Sequence, residues 1–302
     1  MENDYQFDKR LAEYASEFIS SVTWNIGHLL HFEDLLKAIG QGSPDPTAVF
    51  VDSMTVLESS SHPSIIRETL AFLHRCLDWC SPSNRLTLVS SKLFSRLLST
   101  PHLRNLSVIE DKVILPNILA LFNSGVYLSS PDFLQALSTT SDTDPQIFRD
   151  LVLNEVLIPI EPSLVQISRN PHLLSWKEEY KNTLQLLTEI FEVSALHQPT
   201  LDSICSSRIP MVFQSLLSKV EDEDTHQLAV WTISYNISKW QTEESETAGR
   251  GRILLQTLEQ EGFRDYLEQT LFHDTSSLYG KDVRDKSFSI VNTLGMNSPE
   301  PR

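Results

Sequence analysis

Apolar residues recur along this chain in steps of three and four, the spacing that keeps one side of an α-helix dry. Ile66, Leu70, Leu73, Leu77 and Cys80 form one such stripe. Leu86, Val89, Leu93 and Leu97 form another, as do Tyr180, Leu184, Leu187 and Phe191, and Leu11, Tyr14, Phe18 and Val22. Some stretches carry a second apolar face, with Leu88, Phe94 and Leu98, or Leu186, Ile190 and Val193. Helices covered on two sides belong to stacked layers. No stretch alternates apolar and polar residues around a hairpin turn, so the pattern predicts an all-α protein of about twelve to fifteen helices.

The prolines divide this pattern. Pro44, Pro63, Pro82, Pro101, Pro131, Pro145 and Pro171 follow Ser43, His62, Ser81, Thr100, Ser130, Asp144 and Asn170. All of those predecessors except His62 are residues whose side chains cap helix starts, and proline at the first helical position loses no hydrogen bond. The spacing therefore predicts helices opened by these prolines. The first four stand 19 residues apart, room for one helix of about four turns and a short connection. A pair of such segments approaches the roughly 40 to 47 residues of a HEAT or armadillo unit. The segment Pro63-Ser-Ile-Ile-Arg-Glu68 is echoed by Pro145-Gln-Ile-Phe-Arg-Asp150, two such units further on. Loops are expected at 39–46, 138–145 and 241–251, and a frayed tail at 297–302.

Helix pairs of this length, opened by proline, resemble the armadillo/HEAT-type α-solenoid superfamily over residues 8–295. The resemblance implies a superhelical solenoid forming a single domain over 1–296, with a disordered tail at 297–302. The nearest local likeness is Gln227-Leu-Ala-Val-Trp-Thr-Ile-Ser-Tyr-Asn-Ile-Ser238, which resembles the third helix of an armadillo unit, where a Trp and an Asn line the concave groove. Trp231 and Asn236 are five apart where the family has four, which turns Asn236 by about 100° around the helix. Trp24, Trp79, Trp176 and Trp240 have no Asn four residues later. The resemblance is therefore one of fold, without a functional subfamily.

Charge narrows the partners. With 24 Lys+Arg against 40 Asp+Glu, the net charge of −16 opposes a phosphate backbone and a polybasic hold on anionic lipid. Neither nucleic acid nor a membrane is expected as a partner, whereas a basic protein or peptide is welcome. Residues 113–131 lack charge but include Pro116, Asn117, Asn123 and Gly125, which suit a buried helix better than a lipid-spanning one. The opening Met1-Glu2-Asn3-Asp4 has no basic and apolar leader, and Cys76, Cys80 and Cys205 are too few for a disulfide framework. An intracellular location, cytoplasmic or nuclear, is expected. The sequons at Asn105 and Asn236 carry no meaning there.

Candidate chemistry is sparse. Phosphate-binding glycine loops, nucleophile elbows, and kinase or zincin signatures do not occur, so neither an enzyme nor a cofactor is expected. His74, Cys76 and Cys80 could approach a soft metal, yet Cys80 continues an apolar stripe and core packing accounts for it. His28 and His31 lie near Glu33 and Asp34 without a further fixed ligand, so no metal site is expected. The run Glu221, Asp222, Glu223 and Asp224 can cap the next helix or, with Glu243, Glu244 and Glu246, receive basic segments. Trp231, Tyr235 and Asn236 are the remaining candidate contacts, with core filling as the alternative for the aromatics. The expected function is a non-enzymatic scaffold or adaptor binding a protein or peptide. The rivals are an acidic-groove receptor for Lys/Arg-rich segments, similar to a karyopherin, and an enzyme with an unrecognised site.

Overall fold

The computed structural model describes residues 46–60, 62–79, 85, 88–106, 114–138, 144–170, 173–174, 177–219, 246–272, 285 and 288–292. Among the described residues the chain is mostly helical, without a strand. It divides into two compact units, Met1–Ser163 and Leu164–Arg302.

The first unit contains α1 (Pro46–Ser59), α2 (Pro63–Trp79), α3 (Leu93–Ser99), α4 (Ile114–Tyr127), α5 (Pro131–Ser138) and α6 (Pro145–Val152). A widened π turn (Leu153–Leu157) follows α6 and leads without a break into α7 (Ile158–Arg169). α2 lies along α4, α1 packs on α2 and α3, and the π turn packs on α3 and α4. Leu70, Leu73, Leu77, Ile118, Phe122, Phe94, Val152 and Val156 fill the space between them. Gly125 allows this meeting: a Cβ there would lie 2.5 Å from Phe94 Cζ and 2.8 Å from Val156 Cγ1. The α4 helix is also tied to α2 by Asn117 Nδ2, which donates to the Arg67 carbonyl at 3.4 Å.

The second unit contains α8 (Lys177–Ala195), α9 (Gln198–Ser206), α10 (Ile209–Leu217), α11 (Glu246–Gln260) and α12 (Phe263–Phe272). Because α9, α10 and α11 all pack on α8, its two apolar stripes are both needed. Leu184, Leu187, Phe191, Leu186, Ile190 and Val193 are all buried. The ring of Phe191 meets that of Phe213 edge-on at 5.3 Å, and Phe213 lies 5.9 Å from Phe263. Buried hydroxyls are satisfied within the helix, Thr183 donating to the Glu179 carbonyl and Ser194 to that of Ile190.

The proline reading holds at α2, α5 and α6, whose first residues are Pro63, Pro131 and Pro145. Asp144 Oδ1 accepts from the Gln146 N–H at 2.9 Å, and Ser130 Oγ accepts from the Phe133 N–H at 3.2 Å. Pro44, Pro82 and Pro171 lie outside the described residues, as does the 297–302 tail. Three expectations are corrected. Pro101 opens no long helix, because Thr100 closes α3 instead: its N–H and hydroxyl both donate to the Leu97 carbonyl, leaving one turn to Arg104. The single helix expected over 86–97 is interrupted at Lys92, which adopts a left-handed φ of 62°. The 241–251 loop is helical from Glu246 onward. Each helical glycine there costs about 1 kcal/mol, and burial of Leu254, Leu255 and Leu258 offsets it. The end of α11 does use glycine, Gly262 taking φ 90°.

The apolar 113–131 stretch contains α4, whose buried side includes Ile118, Leu119, Leu121 and Phe122. Among the described residues, one helical stretch is long and apolar enough to cross a membrane, Pro145–Arg169, and 56% of its apolar window is buried inside the protein.

Candidate interaction surface

The stretch from Pro145 to Arg169 has one dry side and one wet side. Phe148, Val152, Val156, Leu157 and Ile160 are buried, whereas Ile147, Asp150, Asn154, Ile158 and Pro162 are exposed. Two of the exposed residues are isoleucines, 64% accessible at Ile147 and 48% at Ile158. The helix between them is not uniform. Pro159 has no N–H and its ring crowds the carbonyl one turn back, so the turn before it widens. The Ile158 N–H accordingly reaches the Leu153 carbonyl, five residues back. Asn154 steadies the same region, its Nδ2 donating to the Asp150 carbonyl at 2.8 Å.

At the start of this helix an aromatic ladder supports Ile147. Phe148 stacks on Phe133 at 5.6 Å, and Phe133 meets Tyr127 edge-on at 6.4 Å. The Arg85 guanidinium carbon lies 5.6 Å from the Phe133 ring centre, within range of a cation–π attraction. Tyr127 remains 46% accessible at the end of α4. The ladder thus fixes the backbone from which Ile147 projects, through Phe148, its neighbour in sequence.

Titratable groups elsewhere are placed for structure. Burial pushes the Cys205 thiol above its ordinary range, with a Thr257 hydrogen bond opposing the shift and the Asp202 charge reinforcing it. Burial also raises the Glu189 carboxyl, with Gln185 opposing and Glu192 reinforcing the shift. A raised thiol is a weak nucleophile at neutral pH. Lys219 closes the end of α7, donating to the Ser168 carbonyl at 2.9 Å. His197 Nδ1 lies 2.8 Å from Thr200 Oγ1 at the buried entry to α9. Among the described residues no group of three or more His, Cys, Asp or Glu is placed to hold a metal ion.

The contacts anticipated from sequence, Glu221, Asp222, Glu223, Asp224, Trp231, Tyr235 and Asn236, lie outside the described residues, as do His28, His31, Glu33, Asp34 and Cys80. The structure brings forward Ile147, Ile158 and Tyr127, which the sequence reading did not single out. Their one sequence signal was the Pro63/Pro145 echo: Ile66 and Phe148 hold the same place in it and are both buried, while Ile147, one residue earlier, is not. No protein-family model matches the chain, and no curated protein or solved structure matches it either.

Proposed function

We propose that this chain is a non-enzymatic interaction scaffold of the armadillo/HEAT-like solenoid type, holding a protein or peptide partner on its helical surface. The observation that carries the reading is the pair of exposed isoleucines on the outer side of a helix whose other side is core. Leaving large aliphatic side chains partly in water forgoes roughly half of a full burial worth about 1.5 to 3 kcal/mol each, which a partner can recover. The stacking half of the proposal draws support from the proline-opened helices and from α8, which is covered by three later helices of its unit.

Two measurements test it. Solution scattering should give a radius of gyration well above the roughly 19 Å of a compact chain of this length; a value near that figure overturns the solenoid. Affinity capture on the full chain at physiological salt should retain a discrete set of proteins. Retention of nothing beyond an unrelated helical bait overturns the scaffold.

A further inference from the structure

We infer that the outer face of the Pro145–Pro162 stretch, carrying Ile147, Asp150, Asn154 and Ile158, docks a Lys/Arg-bearing amphipathic helix of a partner protein; this rests on the scaffold reading and names its contact. The apolar part of the match is a matter of spacing. Ile147 and Ile158 are 11 residues apart, roughly 15 Å along the axis and somewhat under three turns because of the widened turn between them. That is the span over which an amphipathic helix presents its anchors to a hydrophobic surface. Ile147 is the most accessible large apolar side chain among the described residues.

The polar frame selects the sign of the partner. Within the stretch itself Asp144, Asp150, Glu155 and Glu161 accompany the two isoleucines against Arg149, and no lysine occurs between 144 and 168; Arg85, on the Phe133 ring, is a further cation beside the start of the helix. The chain as a whole carries −16. Such a frame favours approach by cations and opposes acidic peptides. It also disfavours a second copy of this chain at the same place, since an isologous contact would bring the same acids face to face. An anionic bilayer meets the same repulsion.

Lysine and arginine are donors without acceptor capacity, so a basic side chain flanking the apolar anchor would meet the carboxylates.

The test is fluorescence anisotropy on the full chain with a labelled Leu/Lys amphipathic helix of about 18 residues. Binding should weaken at least about tenfold in the Ile147→Asp/Ile158→Asp variant. It should also weaken between about 50 and about 500 mM salt. A Leu/Glu helix of equal length should bind at least about tenfold less. Ile253→Asp, at a 43% accessible isoleucine of the second unit, should leave binding unchanged. Circular dichroism establishes folding, and Asp150→Lys/Glu155→Lys serves as a second variant expected to lose the probe and gain the Leu/Glu helix. Equal binding by the isoleucine variant, absence of binding by the wild type, or capture of phosphatidylcholine/phosphatidylserine vesicles in place of the peptide overturns the inference. If affinity capture still recovers the same partners with the isoleucine variant, the docking face falls while the scaffold stands. If the wild type captures none, the scaffold itself falls.

Discussion

A single missing methyl group lets three elements meet in the first unit. At Gly125 an added Cβ meets the Phe94 ring at 2.5 Å and Val156 at 2.8 Å, and both neighbours are fully buried, so neither can step aside cheaply. Gly125→Ala should cost about 1 to 3 kcal/mol, as overpacking does, measured as a lower urea midpoint. Glu189 is a case where charge opposes burial. Its folded carboxyl titrates above the ordinary value, because burial raises it more than the Gln185 hydrogen bond lowers it. The folded state therefore holds a proton that the unfolded state has released, and stability falls as pH rises from the ordinary glutamate range through the raised value. Glu189→Gln should raise the thermal midpoint at pH 7, with the gain disappearing toward pH 4. A gain that is the same at both pH values would mean that ionisation is not its cause. Sequence periodicity identified Phe94 and Ile190 as inward-facing, but it could not indicate that Glu189, between Thr188 and Ile190, would be half-buried. Burial of a polar neighbour depends on which helices arrive on that side, and α9, α10 and α11 do so from beyond any local window.

Helix starts were legible because their cause is local. Asp144 caps Pro145, and Ser130 caps Pro131, through contacts two or three residues long. Helix ends and interruptions were less so. Thr100 could have capped a new helix after Pro101, but its hydroxyl donates to Leu97 and it is 2% exposed, so burial decided between two local options. The interaction surface was obscured for a related reason: hydrophobic patterning assigns isoleucine to the core, and Ile147 stands beside Phe148, which is in it. Pro159 and Pro162, both visible in the sequence, were the available hint that the stretch is not a plain helix. Proline inside a helix costs about 3 kcal/mol, so Pro162→Ala, at an exposed position, should raise stability by roughly 1 to 3 kcal/mol in urea unfolding. Pro63→Ala, at a first helical position, should change it by no more than about 0.5 kcal/mol. Equal effects would mean that the missing N–H at Pro162 carries no cost.

At the scale of the whole molecule, composition and patterning agreed on an all-α chain, and the described residues bear that out. Layering within each unit follows from helices with two dry sides, α8 most clearly. The candidate contacts between Glu221 and Asn236 fall outside the described residues, while the surface the structure offers came from residues with no chemical signature of their own. The net charge of −16 acts on the entire chain, since like charges repel each other most when the chain is compact. Raising salt from about 10 to about 150 mM shortens the range of that repulsion and should raise the thermal midpoint. A fall would show that attractive pairs such as Arg96–Glu58, at 3.0 Å, outweigh it.

Two glycines in helices give a ruler for change in this lineage. At Gly249 nothing lies within 4 Å of an added carbon, so a descendant could replace it freely. Gly125 has no such freedom. A distant cousin that keeps this arrangement of α3, α4 and the π turn must keep a bare backbone there, or shrink Phe94 and Val156 in compensation.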